Sequence, residues 1–161
     1  MLKGDNMERA DTLIVNGNLF TMKGPGVGFL ENGGIAISDG KVLSVEPTET
    51  LLKHYYSHNI IDASDKMVIP GFIDAHIHTS QTMMRGMAQD TSNWMMKGIE
   101  PLRYYLNSTE CIEASQTTVL EALSTGTTTF GEYAVPEHID LMSEFYYNIG
   151  VRANYSMLIY G

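Results

Sequence analysis

Along the first 68 residues, apolar and polar positions exchange at short range and turn signals recur, which predicts short strands rather than helices. "DTLIVNGNLFTM" places Leu13, Val15, Leu19 and Phe20 around an Asn16-Gly17 turn signal. Gly24 to Gly34 is glycine-rich and reads as a connection too irregular for a helix. Ile35 and Ile37 before Asp39-Gly40, with Val42 and Val45 after it, predict a β-hairpin. "TETLLKHYYSH" predicts a short helix capped by Thr48 or Thr50. "NIIDASDKMVIPGFIDAHIH" then returns to strand character, with "MVIPGFIDA" apolar enough to be buried on both faces.

After Ser80 the period lengthens. Residues 92–106 have helical spacing, with a break expected at Gly98 and Pro101. Asn107 and Glu110 form a capping-box pattern at the head of the clearest helix. Ile112, Val119, Leu120 and Leu123 should share a face of that helix, and Gly126 should stop it. "TTTFGEY" predicts a strand, "PEHIDLMSEFYYNIG" a helix ending at Gly150, and "VRANYSMLIYG" a further strand. A β-rich segment followed by β-α-β-α-β is the order of an α/β fold, in which helices cover a parallel sheet. The division falls between residues 1–68 and 69–161.

Composition narrows the partners. Ten Lys and Arg against 19 Asp and Glu give a net charge of −9, with no basic cluster, so neither nucleic acid nor an anionic membrane surface is expected. Cys111 is the only cysteine, which excludes an intrachain disulfide and a cysteine-based zinc site. No leader-like apolar stretch opens the sequence, and no apolar run approaches the ~20 residues of a membrane span, so a cytoplasmic location is the default expectation.

The chemistry gathers at His76 and His78. On a strand, residues two apart project to the same face, so both imidazoles should stand side by side while Ile77 packs opposite. Neutral imidazoles in that arrangement can occupy adjacent positions on one metal ion. A strand's carboxyl end is also where parallel sheets and barrels place their sites. Asp74, two residues earlier, should point to the same side and orient a histidine.

"VIPGFIDAHIHTSQTMMRGMAQD" resembles the first barrel strand of the metal-dependent amidohydrolase superfamily. The likeness is to its aminohydrolase and chlorohydrolase branch, which acts on purines, pyrimidines and s-triazines. "DTLIVNGNLFTM", "GGIAISDGKVLSV", "IIDASDKMVIPG", Arg85-Gly86, Trp94, "EALSTGTTTFGE" and "IGVRANYS" agree in order, so the resemblance runs nearly the whole chain. It implies a (β/α)8 TIM barrel preceded by strands of a small β-sandwich. Residues 1–68 would supply sandwich strands, and residues 69–161 the first three β/α units of the barrel. It also implies one divalent metal, zinc or iron, held by His76 and His78, by further histidines on later strands and by an aspartate on the last. The metal would activate water for hydrolytic deamination, or dechlorination, of a small nitrogen heterocycle, and a homo-oligomer would suit the full-length enzyme.

The segment from Ile69 onward is far shorter than the ~250 residues of a complete barrel. The remaining ligands and the general acid/base have no counterparts here and are expected beyond this chain. The barrel is therefore expected to be incomplete and the chain alone inactive, as an N-terminal part of a longer enzyme. Candidate substrate contacts are Trp94, by stacking on a planar ring, Gln81, by hydrogen bonding a ring nitrogen, and Glu132, at the end of the second strand. Arg85 suits a structural salt bridge, and Met83, Met84, Met87, Met95 and Met96 suit an irregular apolar wall. His54, His58 and His138 suit solvated positions. Two alternatives stand beside this reading. One is a cyclic-amide hydrolase with two metals bridged by a modified lysine, which Arg85-Gly86 and Trp94 disfavour; the other is a non-catalytic metal- or partner-binding fragment.

Overall fold

A computed structural model describes residues 7–87, 89–90, 92–103, 105–134 and 138–157. The backbone divides into two compact units, Met1–Pro70 and Gly71–Gly161. The first contains β1 (Glu8–Arg9), β2 (Thr12–Phe20), β3 (Phe29–Ser38), β4 (Lys41–Pro47), α1 (Thr48–His54), β5 (Tyr55–Tyr56), β6 (Ile60–Asp62) and β7 (Met67–Val68). Its main sheet runs β4-β3-β2-β6, with β7 also paired to β2, and β1 pairs separately with β5. β3 is antiparallel to both neighbours, whereas β6 and β7 run parallel to β2. Alternation in β2 turns Leu13 and Val15 inward, where they join Ala10, Ala36 and Leu51 in a buried cluster. The hairpin at Asp39-Gly40 forms as expected, with both residues at positive φ.

The pattern misled at three points in this unit. Asn16-Gly17 is not a turn: β2 runs through it, with Asn16 at φ 62° and shifted pairing on either side, a bulge that Asn tolerates. The glycine-rich connection is shorter than expected, since Phe29 and Leu30 already pair with Phe20 and Leu19. Finally, Thr48 does not cap α1, which starts after Pro47 with no side-chain cap. Its hydroxyl instead accepts a hydrogen bond from the Asn16 amide at 2.8 Å, satisfying a donor at the bulge.

The second unit contains β8 (Phe72–Ile77), a 3₁₀ turn (Thr79–Met84), a π-helical turn (Met95–Ile99) leading into α2 (Glu100–Arg103), α3 (Ser108–Ser124), β9 (Thr127–Ala134), α4 (Ile139–Ile149) and β10 (Arg152–Met157). The sheet is parallel, in the order β10-β9-β8. Val119 of α3, Phe130 of β9, and Met142 and Tyr146 of α4 form its core, with Ile77 packed against them. Gly150 stops α4 in the left-handed conformation, at φ 77°. Residues 136–137, which open the expected fourth helix, and 158–161 of the last expected strand lie outside the described residues.

Four further expectations are corrected here. "MVIPGFIDA" is two strands, because Met67–Val68 belongs to the first sheet and β8 begins only after Pro70, which has no N–H for a ladder. Nor is β8 buried on both faces: Ile73 is 73% exposed and Phe72 54%, since the described helices cover one side of this sheet. The break expected at Gly98 and Pro101 is instead a π-helical turn, in which the Glu100 amide donates to the Met95 carbonyl. On α3, Leu120 is 69% exposed, and the buried stripe is Cys111, Ala114, Ser115, Thr118 and Val119. The small hydroxylic residues face inward because they find partners there.

The capping box of α3 forms as the spacing implies. Asn107 Oδ1 accepts from the Glu110 amide at 3.1 Å, and the Glu110 carboxyl accepts from the Asn107 amide at 2.8 Å. Replacing Asn107 by Ala should cost about 1 kcal/mol of stability, measured as a lower urea midpoint with an unchanged slope.

Candidate metal centre

His76 lies near the end of β8 and His78 immediately after it, at the entry to the 3₁₀ turn. Their ring centroids are 4.9 Å apart and the planes nearly perpendicular, so the two imidazoles meet on one side of the strand. Tyr133 of β9 shares that side, with its ring 5.9 Å from His76 and 5.1 Å from His78. The strands approach closely here because of Gly131, where an added Cβ would sit 2.3 Å from the Ala75 carbonyl oxygen.

The hydrogen bonding of His78 sets its chemistry. Nδ1 lies 3.2 Å from the Tyr133 carbonyl oxygen. A carbonyl only accepts, so Nδ1 carries the hydrogen, and in a neutral ring Nε2 is the nitrogen with the lone pair. That is the tautomer a metal-binding histidine needs, oriented by a backbone carbonyl. Among the described residues, no group of three or more His, Cys, Asp or Glu side chains is arranged to hold a metal ion. The pair therefore fits a divalent metal as two donors of a larger set, since zinc takes three or four protein ligands. Asp74 accepts from the backbone amide of His76 at 3.1 Å, so it braces the strand end rather than the ring.

Behind the pair lies a buried polar cluster that strand parity explains. Phe130 and Glu132 fall on the helix side of β9, while Gly131 and Tyr133 fall on the histidine side. Glu132, expected to reach the mouth of the site, is only 1% exposed and turns toward the helices. Both its oxygens lie 3.3 Å from the Thr79 amide, and Tyr146 donates to its Oε2 at 2.7 Å. The Thr79 hydroxyl lies 3.0 Å from Ser115 Oγ and 2.7 Å from the Tyr146 hydroxyl. Ser115 in turn donates to the Cys111 carbonyl at 2.9 Å, and Thr118 donates to the Thr79 carbonyl at 2.8 Å. Thr79 thus has its amide, carbonyl and hydroxyl all engaged. The sequence reading overlooked Tyr133, Tyr146, Thr79 and Ser115; the apolar Phe130 two residues before Glu132 was the available clue to its direction.

Gln81 and His78 line one cavity of about 370 Å³, together with Ile77, Thr82, Met84, Arg85, Ile99 and Thr118. Trp94 is not among those lining residues and is 51% exposed. Arg85 makes the expected salt bridge, a two-pronged pair with Glu121 at 3.2 and 2.7 Å on the surface. Each partner favours the other's charged form, which raises the Arg85 pKa and lowers that of Glu121. Of the five methionines expected to form an apolar wall, only Met84 is buried; Met83, Met87, Met95 and Met96 are 43–61% exposed, for want of a facing layer among the described residues. His138 is hydrogen bonded through Nδ1 to Ser108 Oγ at 3.0 Å.

A parallel sheet flanked by helices, with an imidazole pair at the carboxyl end of its first strand, defines the class of the second unit as α/β. Residues 67–159 match the amidohydrolase family, and the chain belongs to it. It is 33% identical to a 5-methylthioadenosine/S-adenosylhomocysteine deaminase of Syntrophobacter fumaroxidans, over 81% of this chain and 30% of the relative. It superposes on a zinc-bound adenosine deaminase from Xanthomonas campestris with a TM-score of 0.85 and 26% identity, covering 91% of this chain and 34% of that one. The zinc complex of atrazine chlorohydrolase TrzN from Arthrobacter aurescens TC1 shares the fold at a TM-score of 0.75 and 20% identity, covering 91% of this chain and 35% of that one. The chain thus spans about a third of the length of the proteins it matches. Among the described residues, no helix is long and apolar enough to cross a membrane.

Two outcomes follow from this geometry. Gly131→Ala should destabilise the second unit by about 1–3 kcal/mol and shift the imidazole resonances of His76 and His78, read by urea denaturation and NMR. Burial, and next the neighbouring Glu132, raises the Tyr146 pKa above its ordinary value. The folded state then holds the phenol proton after the unfolded chain has lost it. This contribution is complete below the ordinary tyrosine pKa of about 10 and is lost as pH rises beyond it. Stability should therefore fall across that alkaline range, and Tyr146→Phe should flatten the slope.

Proposed function

We propose that this chain carries the amino-terminal portion of the active site of a zinc-dependent aminohydrolase acting on adenine nucleosides, with ammonia as the leaving group. The observation that carries the reading is the meeting of His76 and His78 on one side of the strand, with Nδ1 of His78 engaged by the Tyr133 carbonyl. The substrate class is supported by the names of the relatives, a 5-methylthioadenosine/S-adenosylhomocysteine deaminase and an adenosine deaminase. Those same names favour deamination over opening of a cyclic amide. Chloride as the leaving group has the weaker support, because the chlorohydrolase likeness is one of fold.

In this reading His76 and His78 supply two ligands. A bound zinc would make a nucleophile available at neutral pH by acidifying water. The Tyr133 carbonyl holds His78 in the ligating tautomer, and Asp74 holds the backbone at His76. Gln81, which lines a cavity with His78, would hydrogen bond a ring nitrogen of the base, and Trp94 would stack on it. Residues 71–161 would form the first three β/α units of a barrel, and the first unit part of a composite β-sandwich. With two donors, the 161-residue chain by itself should bind zinc weakly and release no ammonia.

The test separates metal from reaction. Zinc titration of the chain against a colorimetric chelator should give a site that His76→Ala and His78→Ala each abolish. In a protein that joins these residues to the remaining barrel of a deaminase relative, either substitution should lower kcat/KM for adenosine by roughly two orders of magnitude or more, the equivalent of several kcal/mol. Zinc binding that survives both substitutions would sink the reading.

A further inference from the structure

Two consecutive residues of β9 grip two consecutive residues after β8. The Tyr133 carbonyl takes the Nδ1 hydrogen of His78 at 3.2 Å, and the Glu132 carboxyl takes the amide hydrogen of Thr79 at 3.3 Å. One grip is made on the histidine side of the sheet and the other on the helix side. A shift of β9 by a single residue would exchange the two faces and break both. Glu132 is in turn held by the Tyr146 hydroxyl of α4, and Thr79 by Ser115 and Thr118 of α3. The position of the His78 backbone is therefore fixed by both helices acting through Thr79.

We propose that Glu132 is a positioning residue for His78: by anchoring the Thr79 amide it keeps the His78 ring in register with the Tyr133 carbonyl, and so fixes which ring nitrogen faces that carbonyl and which is turned away. The inference rests on the reading of His78 as a metal ligand, but the ring's tautomer is observable without metal. Glu132 needs no contact with substrate for this role. Its side chain is buried, and among the described residues its hydrogen bonds run to Thr79 and Tyr146. Apolar packing alone would favour a hydrophobic residue beside Phe130, since a buried carboxyl is costly unless its bonds are made. Here those bonds converge on the residue that follows the ligand.

The test uses the ¹⁵N-labelled 161-residue chain, free of metal and at mildly alkaline pH, with long-range ¹H–¹⁵N correlation of the imidazoles. In the unaltered chain His78 should be the Nδ1–H tautomer. In Glu132→Ala the His78 pattern should move to a mixture of tautomers while His138, far along the sequence and bonded to Ser108, stays as it was. Zinc affinity measured by chelator competition should fall roughly 10–100-fold, the usual effect of removing an outer partner. Glu132→Gln, which retains an acceptor for the Thr79 amide, should restore most of both. A folded Glu132→Ala chain with unchanged tautomer and zinc affinity overturns the proposal. If that variant does not fold, Glu132→Met fills the same site without an acceptor for the Thr79 amide, and an unchanged tautomer there overturns the proposal equally. Zinc affinity unaffected by His78→Ala would refute the ligand reading; the tautomer measurement would still decide the positioning role.

Discussion

Parallel pairing of β8 with β9 carries an irregularity between Asp74 and Ile77, after which Ile77 stands opposite Glu132. That register is the constraint on which the second unit depends. It brings the Tyr133 carbonyl to the His78 ring and the Glu132 carboxyl to the Thr79 amide. It also keeps Ile77 and Phe130 together on the helix side, where they share a core with Val119, Met142 and Tyr146. Apolar packing and polar anchoring thus select the same alignment. A slip by one residue would expose Phe130 and leave a buried carboxyl without partners, two penalties of several kcal/mol in sum.

The helices contribute more than a cover. The buried stripe of α3 includes Ser115 and Thr118 among Cys111, Ala114 and Val119. Small side chains let the helix approach the turn after β8, and their hydroxyls complete the bonds of Thr79. Tyr146 joins the two kinds of contact in one residue. Its ring stacks over Phe130 at 6.2 Å, and its hydroxyl meets Glu132 and Thr79. Loss of that hydroxyl would leave Glu132 with Thr79 as its partner among the described residues, so the same group would bear on both alkaline stability and the proposed positioning of the histidine turn.

Much of this architecture was legible because periodicity and capping report local physics. The β-α-β-α-β order, the Asn107–Glu110 box and the Gly150 stop all depend on neighbours within a few residues. The side-by-side histidines needed only the two-residue repeat of a strand. What escaped was set by distant partners. The Asn16 bulge depends on Thr48, 32 residues away, and the inward face of α3 depends on where Thr79 falls. A helix-face reading that counts leucines therefore chose Leu120 and Leu123, whereas the buried face is the one whose hydroxyls find partners. Glu132 was misread for a related reason: proximity to a strand end was weighed, and parity with Phe130 was not.

The unequal finish of the two sheet faces bears on what the histidine pair can do. The helix side of the second unit is closed, with Val119, Phe130 and Met142 fully buried. The opposite side presents His76 and Tyr133, whose rings lie 5.9 Å apart. Metal affinity depends on how many donors converge and how rigidly each is held. Rigidity at His78 is already supplied from within these residues, whereas the number of donors is not. The net charge of −9 draws cations toward the surface in general, but long-range attraction is screened and does not substitute for ligands. Under the proposed function, the pair would be a pre-oriented half of a site: an imidazole set by the Tyr133 carbonyl, whose strength as a metal centre would depend on the donors that face it.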